Sequence, residues 1–189
     1  MFELKAHGPF DQLAAPPATA EAAVWARPVA CGFASVLARR GAATAVAERA
    51  QELFGAAPPH GPRRSGAPPL AWIGTGPGAW LAVLYPQGPT VAELRAGLEG
   101  LASVVDQSGG YGLVQLGGPR AADLLGSGVF LDLHPQAFPP GSAAGTVLAH
   151  VSVTVWRVSD ELFEIAVPRS FAPAIVHWLQ TAGAEFGLA

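Results

Sequence analysis

WLAVLYPQGPTVAELRAGL, residues 80–98, reads as an apolar strand, a proline stop and an amphipathic helix. Trp80 to Tyr85 is an unbroken apolar run of strand length. Pro86 ends it. Thr90, with Glu93 three residues on, is a capping box that opens a helix from about Val91 to Leu101. The same order returns in FEIAVPRSFAPAIVHWLQT, residues 163–181. There a strand from Leu162 to Val167 meets Pro168 and leads into a helix from about Ser170 to Ala184. Phe171, Ala174, Ile175, Trp178, Leu179 and Ala182 make the apolar stripe of that helix.

Upstream of each block lies a matching pair. VLARRGAATAV (36–46) and VQLGGPRAADL (114–124) both run strand, glycine turn, alanine-rich helix. Around them the pattern predicts a strand from Cys31 to Leu37, a helix from Ala43 to Phe54 and a proline-rich loop over 56–69. Strands Leu70–Ile73 and Trp80–Tyr85 follow, joined by the glycine turn Gly74 to Gly78. The second half offers strands Ser103–Asp106 and Tyr111–Leu116, then a short helix from Pro119 to Leu125. It closes with one long strand Val147–Val158 that pairs with Leu162–Val167 across Ser159-Asp160-Glu161. Two copies of a strand–helix–strand–strand–helix unit, about 32–101 and 103–184, predict an α+β fold. Its sheets are antiparallel-rich, with helices on one face. Residues 1–28, rich in alanine and proline, are expected to form an N-terminal arm, and 29–189 a single α+β domain.

Composition narrows the function. Of 189 residues half are apolar, 13% are charged, and the net charge is −3. Neither a nucleic-acid footprint nor a disordered tail fits such a chain. One cysteine excludes a disulfide framework and a cysteine-based zinc site. The start, MFELKAHGPFDQL, lacks the apolar core of a secretory signal, and no apolar run reaches the ~18 residues of a membrane span. A soluble, cytoplasmic protein with no membrane contact is expected.

No catalytic constellation assembles from these residues. Gly74-Thr-Gly-Pro-Gly-Ala79 matches the letters of a dinucleotide fingerprint, yet a strand follows where the phosphate-binding helix must start. His7, His60, His134, His150 and His177 share no ligand spacing, and no serine sits in a nucleophile elbow. Cys31 reads as a small core residue. Arg169-Ser170 precedes a helix and reads as a serine cap beside an exposed arginine, with an anion site as the alternative. The proline-rich segment Phe130–Gly141 carries more apolar bulk than a solvated loop needs. Either it folds onto the domain's own core or it docks on a partner. The expected partner-contact residues are Phe130, Leu131, Leu133, His134, Phe138 and Arg169.

A series of short motifs carries a resemblance. It comprises Asp106-Gln-Ser, Leu116-Gly-Gly-Pro-Arg-Ala-Ala-Asp-Leu-Leu, Gly128-Val-Phe-Leu-Asp-Leu-His-Pro-Gln-Ala-Phe-Pro-Pro-Gly, Val167-Pro-Arg-Ser-Phe-Ala and Glu185-Phe-Gly. From about residue 32 to the C-terminus the chain resembles the gamma-subunit family of heterotetrameric (αβγδ) sarcosine oxidase. The resemblance implies a complex that oxidatively demethylates sarcosine to glycine, makes hydrogen peroxide and passes the one-carbon unit to tetrahydrofolate. It implies alpha, beta and delta partner subunits, which hold the FAD, FMN, NAD, zinc and folate, and no cofactor in this chain. It also implies kinship with the glycine-cleavage aminomethyltransferase, or T-protein, fold. T-proteins place a pair of acids before an apolar strand, where this sequence has Gly145-Thr-Val-Leu-Ala149-His150. Without that carboxylate, proton transfer to the folate-bound carbon loses its group. The expectation is a non-catalytic accessory subunit; the alternatives are an active folate-binding one-carbon domain or a stand-alone binding module.

Overall fold

The protein, seen in a computed structural model that describes residues 8–13 and 23–188, is built from two five-stranded antiparallel sheets. In chain order the elements are β1 (Trp25–Val29), β2 (Gly32–Ala38), α1 (Ala43–Phe54), β3 (Arg64–Ala67), β4 (Leu70–Gly76), β5 (Ala79–Leu84), α2 (Val91–Gly97) and β6 (Ala102–Asp106). They continue with β7 (Tyr111–Gly117), α3 (Ala121–Gly126), β8 (Ala143–Leu148), β9 (Val151–Ser159), β10 (Leu162–Pro168) and α4 (Ala172–Gly183). One sheet has the order β3-β4-β5-β2-β6 and the other β8-β9-β10-β7-β1. The two orders coincide strand for strand, with β6 and β1 as equivalent edges.

Side-chain alternation sorts the strands into layers. On β5, Trp80, Ala82 and Leu84 face a core closed by Val46 and Ala50 of α1 and Leu94 of α2. Leu81, Val83 and Tyr85 point the other way, into a seam with Leu113, Trp156 and Ala166 of the second sheet. On β10, Phe163, Ile165 and Val167 pack with Leu124 of α3 and Ile175 and Leu179 of α4. Each sheet therefore carries its helices on one face and the other sheet on the opposite face. The α+β architecture follows from nearly continuous apolar strands, which must be covered on both sides.

Local signals explain the helix ends. Thr90 Oγ1 accepts from the Glu93 N–H at 3.2 Å while Glu93 Oε2 accepts from the Thr90 N–H at 2.7 Å, a complete capping box. Gly55, at φ 70°, closes α1 in the left-handed conformation that glycine adopts without penalty. No described helix is long and apolar enough to cross a membrane.

Several boundaries differ from the sequence reading. The expected arm ends inside the sheet: β1 crosses residue 28 and pairs with β7, Pro28 being tolerated because β1 is an edge. The remainder of the arm lies outside the described residues, apart from 8–13 and 23–24; Phe10 is buried against the α4-side core. The 56–69 segment is not all loop, since β3 pairs with β4 over Arg64–Ala67. The single strand over 147–158 is two, broken by a tight turn at Ala149 and His150, both at positive φ. Each half thus has three strands between its helices. β6, grouped by sequence with the second half, pairs with β2 of the first. Ser170 caps nothing: it sits in a 3-10 turn, Arg169–Phe171, before α4.

Candidate functional site

A polar row crosses four strands, from the exposed edge of the second sheet to its interior. Arg27 on β1 stands opposite Gln115 on β7, Gln115 opposite Glu164 on β10, and Glu164 opposite Trp156 on β9. Arg27 Nε donates to Gln115 Oε1 at 2.7 Å, and Gln115 Nε2 donates to Glu164 Oε1 at 2.7 Å. Trp156 Nε1 donates to Glu164 Oε2 at 2.6 Å. The Tyr85 hydroxyl completes the set from the other sheet, donating to the same oxygen at 3.0 Å. Glu164 is 2% exposed, and its two oxygens face three donors. A carboxylate so enclosed is satisfied where it stands and presents no free edge to a substrate.

The neighbours of Glu164 are inert for a related reason. Burial, reinforced by the Glu164 charge, pushes the Cys31 thiol up to about 12. It also raises the Tyr85 phenol, which gains further from donating to Glu164. Neither side chain is a thiolate or phenolate nucleophile at neutral pH.

Other sequence candidates resolve into structure. The glycine run is not all turn: Gly74 and Gly76 are still in β4 and pair with β5, the chain turns at Pro77-Gly78, and no helix begins there. Asp106 Oδ1 accepts from the Ser108 N–H at 2.8 Å, while Ser108 Oγ accepts from the Phe33 N–H at 3.1 Å. The Asp-Gln-Ser motif is therefore a turn that ties β6 to β2, and it holds the Asp106 carboxyl below the usual range. His60, His134, His150 and His177 are exposed and separate. Among the described residues no group of His, Cys, Asp and Glu could hold a metal ion. Gly145 to His150 form β8 and its hairpin tip, and no acid stands there. Among the described residues, the glycine run opens no helix and the Gly145–His150 stretch carries no carboxylate.

The proline-rich segment divides sharply. Arg157 on β9 donates to the carbonyls of Leu133 (3.2 Å), Phe138 (3.0 Å), Ser159 (3.2 Å) and Asp160 (2.7 Å). Its guanidinium also lies over Phe163, 5.1 Å from the ring centre. That clamp folds Leu133 and Phe138 into the chain's own core, with Leu131 packed beside them. Leu133 and Phe138 are buried in this chain, and Leu131 is partly buried. Phe130, 81% exposed, and His134 point outward, and Arg169 is exposed at the start of the 3-10 turn.

The sequence reading missed Glu164 and Arg157. Their one local signal is a charged residue at a position within an apolar strand, 162–167 and 151–158 respectively.

The family model of the sarcosine oxidase, gamma subunit family matches residues 62–185. The chain belongs to that family. The matched stretch covers nearly all of the second sheet together with β3 to β6 of the first. Among curated gamma subunits, the chain is 35% identical over 118 residues to sarcosine oxidase subunit gamma of Corynebacterium sp. (strain P-1) and 35% over 119 residues to that of an Arthrobacter species. Both matches take in 62% of this chain and 57% of the relative, so the chain spans little more than half the length of the curated gamma subunits it matches. Among solved structures, it superposes with a TM-score of 0.82 and 27% identity on a chain of the heterotetrameric sarcosine oxidase from Corynebacterium sp. U-96 in complex with pyrrole 2-carboxylate. That match covers 97% of each chain. The aminomethyltransferase T of the Bartonella henselae glycine cleavage system matches at a TM-score of 0.60 and 17% identity, over 84% of this chain and 45% of that one. The latter shows a shared fold.

Proposed function

We propose that this chain is the accessory gamma subunit of a heterotetrameric sarcosine oxidase, without catalytic residues of its own. The carrying observation is the superposition at 0.82 over 97% of both chains on a component of such a heterotetramer. The site chemistry supports the same reading. The one deeply buried carboxylate among the described residues is occupied by three internal donors, and Gly145 to His150 stand where the T-protein resemblance would place acids.

On this reading the activity belongs to the assembly: oxidative demethylation of sarcosine to glycine, with peroxide formed and the one-carbon unit passed to tetrahydrofolate. The alpha, beta and delta subunits are the partners and hold FAD, FMN, NAD, zinc and folate. The complex is cytoplasmic. Phe130, His134 and Arg169 are the members of the expected contact set that remain outside the core.

Co-expression with the three other chains tests the proposal. The expected result is one complex that forms peroxide from sarcosine, while the purified single chain is colourless and free of zinc by elemental analysis. A chain that never co-elutes with the oxidase overturns the assignment. Quenching of its tryptophan emission by tetrahydrofolate, in the absence of partners, would instead favour a folate-binding domain.

A further inference from the structure

Residues 8–13, Gly-Pro-Phe-Asp-Gln-Leu, lie against the helix side of the second sheet. Phe10 is 1% exposed, in one cluster with Val167 of β10 and Ile175 and Leu179 of α4, and Leu13 packs against that cluster. We infer that residues 8–13 are a separable strap, the chain's own occupant of a recognition groove for a proline–aromatic peptide over Gly112 of β7.

The seat is cut to the shape of the strap. A Cβ on Gly112 would stand 2.5 Å from Pro9 Cγ and 2.8 Å from Phe10 Cε2. The pyrrolidine ring cannot swing aside, so glycine alone admits it. Backbone conformation does not call for glycine here: Gly112 pairs with Val167 inside a regular ladder and is not at positive φ. A glycine inside a strand with no conformational reason marks the close approach of another backbone or ligand.

The fold closes without such a segment. Gly32 of β2 faces Leu84 of β5 as Gly112 faces Val167 of β10, so the two glycines hold equivalent places in the two sheets. At Gly32 the three atoms nearest a Cβ belong to Ser108 and Leu84. A cavity of about 420 Å³ lies there, with Gly32, Leu84, Val91 and Ser108 in its walls. One half of a doubled architecture carries a segment at this place and the other does not. The segment is therefore an addition to the fold, with a role separable from it.

The strap also holds its own shape. The Gly8 N–H donates to Asp11 Oδ2 at 2.7 Å and the Leu13 N–H to the Phe10 carbonyl at 3.0 Å. On the side of the body, Gln180 Nε2 of α4 donates to the Gln12 carbonyl at 3.5 Å. Residues 8–13 belong to no strand, so the strap leaves its seat without breaking a ladder. A segment already turned loses little entropy on docking. Its tether gives it an effective concentration of roughly millimolar order, which keeps a free peptide out while Phe10 is present.

The test uses the full chain, as wild type, Phe10→Ser and Phe10→Ser/Gly112→Ala, with the synthetic peptide Gly-Pro-Phe-Asp-Gln-Leu as probe. We expect Phe10→Ser to unfold cooperatively at a temperature several degrees below wild type. The peptide should bind it at least tenfold more tightly than it binds wild type and should restore much of the lost melting temperature. The same peptide with serine in place of phenylalanine should do neither, and the double variant should not be rescued. A Phe10→Ser chain that fails to fold makes Phe10 an integral core residue and overturns the strap. So does a folded Phe10→Ser chain that ignores the peptide. Equal binding to wild type and Phe10→Ser places the peptide elsewhere, or the strap on a second copy, and rescue that survives Gly112→Ala removes the seat from Gly112; each overturns the inference. No arm uses an oxidase subunit, so every result leaves the subunit assignment standing.

Discussion

The phenol of Tyr85 donates a 3.0 Å hydrogen bond to the Glu164 carboxylate, and this contact spans the seam between two sheets that share no strand. Removing the donor leaves a buried carboxylate with one partner fewer. Tyr85→Phe is expected to cost about 1.5–3 kcal/mol, the range for a buried hydrogen bond to a charged group. Urea unfolding of Tyr85→Phe, Glu164→Gln and the double variant measures the coupling. The cost of Tyr85→Phe should shrink in the Glu164→Gln background. An equal cost in both backgrounds would mean the pair does not join the sheets energetically.

Arg157 serves the second sheet in another way. Four carbonyls accept from one guanidinium, and two of them, Leu133 and Phe138, belong to the proline-rich segment. Arg157→Ala leaves those acceptors without a donor and frees the segment; a loss of roughly 3 kcal/mol is expected. Lysine cannot reproduce the planar fork and should rescue little. Limited proteolysis within residues 130–141 reports the release. An Arg157→Ala protein as resistant as wild type would refute the clamp.

Strands with dense apolar sequence were legible in the chain, and so were helices with explicit stops. Trp80 to Tyr85 and the Thr90–Glu93 box announced β5 and α2 because both signals are local. β3 was hidden. Arg64 to Ala67 has no apolar alternation, and Gly66 sits at φ 73°, where a Cβ would meet the Leu70 carbonyl at 2.5 Å. The break at Ala149 and His150 was invisible because the turn lacks the Asn-Gly signature. The Arg27–Gln115–Glu164–Trp156 row could not be read from sequence either. Arg27, Gln115 and Glu164 are far apart in the chain, and only strand register lines up the row. The resemblance found the family through turns and helix starts, whereas polar chemistry inside the fold depended on pairing.

Acid should weaken the fold in part through Asp106 and Glu93. Backbone N–H groups of Ser108 and Thr90 hold these carboxyls below their usual range. A lowered native pKa means that the unfolded chain binds protons more readily, so acid favours unfolding. The contribution is complete above the ordinary carboxylate range, about pH 4, and is lost as pH falls through the native values. The fall in urea midpoint from pH 7 to pH 3 should therefore be smaller in Asp106→Asn than in wild type. An equal fall would exclude Asp106 from the acid response.

The Cys31 thiol, pushed up to about 12 by burial and by Glu164, should resist a disulfide reagent at pH 8. The same raised value makes Cys31 stabilising below the ordinary thiol range, near 8.5, and that contribution fades as pH rises further. Thiol release timed in native buffer and in urea checks the first point. Equal rates in the two solvents would show an accessible thiolate.

Phe138 and Phe130 stand eight positions apart in one segment and should behave oppositely. Phe138 is 4% exposed, within the core that holds Leu133 and the α4 side chains, and its carbonyl is one of the four that Arg157 engages. Truncating a buried phenylalanine to alanine typically costs about 3–5 kcal/mol, from lost transfer energy plus the cavity left behind. Phe138→Asp adds the desolvation of a carboxylate within an apolar cluster, where the nearby Arg157 is already engaged by four carbonyls, so that variant should fail to fold or melt far below wild type. Phe130→Asp places its charge in water and should melt close to wild type. Differential scanning calorimetry of both variants decides the matter. If Phe138→Asp melts normally, the segment does not rest on this core, and the assignment of Leu133 and Phe138 to the chain's own interior is wrong.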